Sequence, residues 1–240
     1  MTNCKKCNNE VVGLFCSFCG QADKINRIDK HYLSNELQHL LHFEKGFFFT
    51  ARELIVRPGH SIREYMVESR VSHMKPIPFL ILTSLFYTII TSFFHNGGSG
   101  IDKTAFANTS VVSIFHWVDS HLGYANIILG VFVSLFVKLF FKKFNYNIYE
   151  IAVLITFIMG EEMLFLSIKS LIFGIFKIEV SQQIISLVTY AYATWAIGQF
   201  FNKNSFGIYF KAFLSYALGM TAFVFISVLI GLMVDLIFKH

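Results

Sequence analysis

Charge is what this chain has least of. Only 15% of its 240 residues are Asp, Glu, Lys or Arg, against about 25% in an ordinary soluble domain. With 55% hydrophobic residues and 29 Phe, that deficit excludes a single soluble globule and fits an integral membrane protein. Cysteine is missing after residue 19, so nothing beyond that point can form a disulfide or a thiolate metal site. The signatures of three enzyme classes are missing too: His-Glu-x2-His, Gly-x-Ser-x-Gly and a Gly-rich phosphate loop. No catalysis is expected. The N-terminus opens on polar residues and cysteines and not on a charged start with a short apolar run, so no cleavable leader is expected and the head is expected in the cytoplasm.

The charge that exists is concentrated early. Of the 20 Lys+Arg and 15 Asp+Glu, residues 1–75 hold 11 and 8, leaving 9 and 7 for residues 76–240. The expected division is a zinc ribbon over 1–22, cytoplasmic and interfacial amphipathic helices over 23–75, and a transmembrane helical domain over 76–240. The expected fold class is thus an all-α integral membrane bundle with a small four-cysteine head.

That head reads CKKCNNEVVGLFCSFCG. Cys4, Cys7, Cys16 and Cys19 form two Cys-x2-Cys pairs, each turning two sulfurs toward one point, and the eight residues between them suffice for a hairpin. Gly20 and Asn8 follow the two pairs, where the backbone often needs positive φ to aim its N–H groups at the sulfurs. Val11, Val12, Leu14 and Phe15 would supply the small apolar packing of a module too short for a core. Structural Zn2+ is favoured over a disulfide pair, which cytoplasmic conditions oppose, and over a redox dithiol, which needs a thioredoxin-like unit. Four thiolates close the coordination sphere, so the expected site holds a shape and performs no chemistry. Lys5, Lys6, Lys24 and Arg27 make only a thin basic patch without a stacking platform, which argues against nucleic acid as a partner.

From Lys30 to Phe43 the spacing of Leu33, Leu37, Leu40 and Leu41 predicts an amphipathic helix, with His31, His39 and His42 on a solvated polar face. Further on, Pro58-Gly59 reads as a break, and Ser61-x2-Glu64 as a capping box starting a short helix toward Val71. Phe47, Phe48, Phe49, Leu54 and Ile55 among Arg and Lys predict a helix lying in the membrane interface.

The order of these motifs resembles a known family. The Cys-x2-Cys/Cys-x2-Cys-Gly ribbon, Phe43-Glu-Lys-Gly46-Phe with Thr50, Arg57-Pro58-Gly59-His-Ser-Ile-Arg63-Glu-Tyr65, then Arg70 and Lys75-Pro76 are similar to the bacterial membrane family called domain of unknown function 3667. Residues 4–90 carry the resemblance, although this chain has Glu68-Ser69 where members usually have a Gly-Lys pair. It implies a ribbon-headed multispan protein and no particular reaction.

Apolar segments at 77–94, 124–141, 148–176, 181–201 and 208–237 predict five spans across a core of about 30 Å. Lys138, Lys142 and Lys143 place the end of the second span in the cytoplasm and the 95–123 loop, with its Asn96-Gly-Gly-Ser-Gly100 start, outside. The segment 148–176 crosses once or, alternatively, turns back at Gly160-Glu161-Glu162, which also leaves the side of His240 open. His116, Asp119 and His121 have metal-ligand types, but among Val111, Phe115 and Trp117 they read as an interfacial stretch.

Glu150, Glu161, Glu162 and Lys169 fall within one third of a helical wheel in the third span, and ionisable groups in a span usually face a bundle interior or a wet cavity. Glu162 and Lys169 are about 10 Å apart along the axis, so each needs a partner from another helix. Tyr190, Tyr192, Gln199, Ser215, Tyr216 and Thr221 are the candidates. Two functions follow: an inner-membrane protein whose ribbon docks a cytoplasmic protein, or a small transporter or channel using Glu161, Glu162 and Lys169.

Overall fold

A computed structural model of the chain describes residues 2–4, 6–11, 13–22, 46–68, 70–94, 109–202 and 205–238. The expected helix over 30–43, the stretch at 96–100 and His240 lie outside the described residues. At the head, β1 (Thr2–Asn3) and β2 (Glu10–Val11) pair antiparallel, Thr2 opposite Val11 and Asn3 opposite Glu10.

The next described elements are α1 (Phe47–Val56) and α2 (Pro58–Val67). Arg57 separates them at φ −147° and ψ 59°, because a proline ring bars its predecessor from helical geometry. Pro58 itself takes the first helical position, where its missing N–H has no acceptor to serve. The expected capping box is therefore corrected: Ser61 lies inside α2, which begins at Pro58 and ends at Val67, short of Val71. The Ser61 hydroxyl instead hydrogen-bonds His73 Nε2 at 2.8 Å, and both residues are buried.

Six helices follow: α3 (Pro76–Phe94), α4 (Ser110–Ser120), α5 (Leu122–Phe140), α6 (Ile148–Phe176), α7 (Gln182–Asn202) and α8 (Phe206–Phe238). All but α4 are long and apolar enough to cross a membrane, and they lie where the five apolar runs predict them. The chain is a multi-pass helical membrane protein in contact with lipid. α6 is unbroken through Gly160-Glu161-Glu162, which overturns the alternative that the chain turns back there. Its start is fixed by a capping box in which Asn147 accepts from the Glu150 N–H and Glu150 accepts from the Asn147 N–H. Gly160 serves proximity and not bending, since a Cβ there would come within 2.6 Å of the Phe79 ring of α3.

α3 runs along α6 in the most extensive helix pairing, α8 packs on α5 and α7, and α2 rests on α7. Leu54, Ile62, Tyr65 and Met74 share one apolar core with Phe79, Leu154, Phe157, Ala196 and Tyr216 of the spans. So α1 and α2 turn Leu54, Ile62 and Tyr65 onto the bundle, while Phe48, Ile55 and Val56 remain outward. At the other side α4 is tied to α8: the Asp235 carboxylate accepts from the Ser110 N–H at 2.9 Å and from its hydroxyl at 2.7 Å.

Candidate metal centre and buried polar residues

The ribbon is two copies of one turn. In the first, the Cys4 N–H donates to Asn9 O at 2.9 Å and the Asn8 N–H to Cys4 O at 2.9 Å. In the second, the Cys16 N–H donates to Gln21 O at 2.7 Å and the Gly20 N–H to Cys16 O at 2.9 Å. Asn8 at φ 60° and Gly20 at φ 73° occupy equivalent left-handed positions, as their place after each pair predicts. The turns leave backbone N–H groups facing sulfur. Those of Cys7 and Lys6 hold the Cys4 thiol down to about 6, and those of Cys19 and Phe18 lower Cys16 likewise.

All four thiols are free, and their sulfurs lie within 4.8 Å of one another. Cys4 to Cys19 and Cys7 to Cys16 are each 3.5 Å apart. Sulfurs about 2.3 Å from a tetrahedral zinc would be separated by about 3.8 Å, so the cage has the size such an ion needs. Its charge points the same way. The Asn9 N–H lowers Cys7, yet burial and the sulfurs of Cys19, Cys16 and Cys4 outweigh it and push that thiol up to about 12. Four sulfurs this close cannot all ionise without a cation among them. Among the described residues this is the only group of three or more His, Cys, Asp or Glu able to share a metal ion. His116, Asp119 and His121 do not form one, and the His121 ring stacks on Trp117 with centroids 5.1 Å apart.

The Arg57-Pro58-Gly59 motif does its work in packing. A Cβ on Gly59 would fall 2.2 Å from the backbone nitrogen of Phe200, so only glycine lets α2 approach α7 this closely. At that contact the Gly59 N–H donates to Gln199 Oε1 at 2.7 Å. Arg57 pairs with Glu53 and, at 3.6 Å, with Glu64. Thr50 Oγ1 accepts from the Met74 N–H at 2.7 Å, fastening α1 to the segment before α3. No local sequence signal joins His73 to Ser61 or Gln199 to Gly59.

The four charged residues of α6 do not form one cluster. Glu150 is occupied at the N-terminal cap. Lys169 Nζ donates to Gln182 Oε1 at 2.6 Å, at the start of α7, and not to a glutamate. Glu162 accepts from the Tyr216 hydroxyl, at 2.9 and 3.0 Å from its two oxygens. Glu161 is fully buried, and neither of its oxygens has a hydrogen-bond partner among the described residues. Of the expected partners, Tyr216 meets Glu162, while Tyr192 donates to Leu54 O and Gln199 serves Gly59.

A bundle of five spans behind a four-cysteine cage defines a class of protein, the ribbon-headed multi-pass membrane protein. Within that class, residues 44–88 match the family described as "Protein of unknown function (DUF3667)", the family its motifs resemble. The matched stretch contains α1, α2 and most of α3, which includes every contact of the Arg57-Pro58-Gly59 region on its own side of the interface. No curated protein matches the chain, and no solved structure does.

Proposed function

We propose that this is a docking or regulatory protein of the bacterial inner membrane, whose ribbon holds a structural zinc ion in the cytoplasm and offers an apolar surface to a partner protein. The observation that carries this reading is the exposure of Leu14, Phe15 and Phe18, at 82%, 64% and 78%, which overturns the packing role expected of the first two. Large apolar side chains crowded on so small a module mark a contact surface, and aromatic residues are enriched at the centres of protein interfaces. A zinc ion held by four thiolates has no open position for a substrate, so the metal would shape that surface. Free thiols suit a reducing compartment, and Lys138 in the last turn of α5, with Lys142 and Lys143 after it, suits a cytoplasmic placement of that end of the bundle.

A photo-crosslinking side chain in place of Phe18 tests the reading in living cells. A discrete protein adduct is expected, lost on Leu14→Ser with Phe15→Ser while one zinc per chain is retained. Adducts to lipid alone, or an adduct indifferent to the double change, would overturn it.

A second reading, a small transporter or channel using Glu161, Glu162 and Lys169, is favoured by one observation: the buried Glu161 carboxyl has no hydrogen-bond partner among the described residues. Buried ionisable groups inside a span commonly mark an ion or proton path. Proton-driven flux in vesicles, abolished by Glu161→Gln, is its expected signature, and an inert parent protein would sink it.

A further inference from the structure

Between α3, α5 and α6 lies an apolar groove of about 310 Å³, within the range of small-molecule sites. Its mouth is on the outer face of the bundle, because Ile127, Val131 and Leu135 line it and are each about half exposed. Along α6 it reaches from Ile148 to Met159, eleven residues or about 16 Å, which is roughly half of a 30 Å hydrocarbon core. The groove is therefore as deep as one leaflet.

Its polar groups are graded along that depth. Ser134 lines the groove, is 2% exposed, and its hydroxyl has no hydrogen-bond partner among the described residues. One turn further along α5, Lys138 donates to the neutral Tyr146 carbonyl, and among the described residues no carboxylate lies within ion-pair reach of it. Lys75 directly precedes the lining residue Pro76, and Lys142 and Lys143 follow α5 at the same end. Reading inward, the order is cations, an unpaired hydroxyl, then an apolar slot.

We propose that this groove binds one anionic phospholipid from the leaflet at the Pro76 and Ile148 end. The phosphate lies at Lys138 with Lys75 and the lysines after α5 near it. A glycerol ester carbonyl accepts from the Ser134 hydroxyl, and one acyl chain follows α5 and α6 toward Asn126. A neutral lipid would leave Lys138 without a counter-charge among the described residues, and inorganic phosphate would leave the apolar slot unfilled. The basic rim is what selects an anionic headgroup over a zwitterionic one.

Native mass spectrometry of the full chain in detergent, supplied with phosphatidylglycerol or with phosphatidylcholine of identical chains, tests this. One phosphatidylglycerol per chain is expected to be retained in preference. Lys138→Gln should cut that preference about fivefold, the worth of one cation near an anionic surface. Val131→Trp, at the half-exposed mouth, should abolish retention of both lipids without changing the melting temperature in lipid-free detergent. Should that variant not fold, phosphatidylglycerol with a photoreactive acyl chain should label peptides 126–135 and 148–159 of the unaltered protein. Equal retention of the two lipids, labelling confined to α8, or cross-links joining two copies through position 131 would each overturn the site.

Discussion

Among the described residues of the ribbon the buried apolar side chains are Cys4, Val11 and Cys16, two of them candidate ligands, whereas the bundle buries a continuous core from Leu54 in α1 to Tyr216 in α8. A module of about twenty residues cannot offset the entropy of ordering its backbone by burial, so its shape must depend on whatever its four sulfurs hold. The bundle has an apolar core of its own. Its helices meet through glycine contacts, aromatic packing and a few long-range hydrogen bonds, and lipid covers the rest. The two parts should therefore fail separately.

The largest expected separation comes from Cys16→Ser. Structural zinc is worth roughly 10–16 kcal/mol to modules of this size, and three thiolates bind it far more weakly than four. Loss of the metal and a protease-sensitive head are expected, with the melting temperature of the bundle in detergent unchanged. Metal analysis with limited proteolysis reads both. A bundle that melts early in this variant would break the comparison, because it would mean that the spans lean on the ribbon.

Gly59→Ala is the converse. The added carbon would fall 2.2 Å from Phe200 N, and backbone has no flexible end to move aside. Overpacking of this kind costs about 3 kcal/mol, with the Gly59 to Gln199 bond strained as well. The expected result is a lowered melting temperature with one zinc per chain retained. An unchanged melting temperature would mean that α2 rides loosely on α7.

What could be read in the sequence follows the range of the interactions. The cysteine spacing, the positive φ at Asn8 and Gly20 and the five spans are local signals, and each is found where expected. Ser61-x2-Glu64 has the letters of a capping box, but Pro58 three residues earlier takes the helix start, and the same hydroxyl serves His73. Phe47 to Ile55 looks like a lipid-facing helix because an apolar face suits lipid and protein equally. Only the bundle reveals that Leu54 is turned to protein and Phe48 is not. The Gly59 to Gln199 and Glu162 to Tyr216 contacts join residues 140 and 54 positions apart, and no periodicity reports a pairing of that range.

The smallest effects, and the sharpest test of how little the bundle relies on polar contacts, belong to the adjacent glutamates of α6. Tyr216→Phe removes the hydroxyl that donates to both oxygens of Glu162 and leaves a buried carboxyl group unsatisfied, which costs about 1–3 kcal/mol. Glu161 already stands in that condition, so Glu161→Met, which replaces an unsatisfied group with an apolar one of similar length, should stabilise by about 1 kcal/mol. The surroundings of two adjacent carboxyl groups are thus expected to give melting shifts of opposite sign, Tyr216→Phe at Glu162 downward and Glu161→Met upward, with zinc content the same in both. If Glu161→Met instead lowers the melting temperature as Tyr216→Phe does, Glu161 has a partner that the protein itself does not supply. A bound cation or an ordered water would then be holding it, and the carboxyl at position 161, more than the ribbon, would become the first place to look for transport.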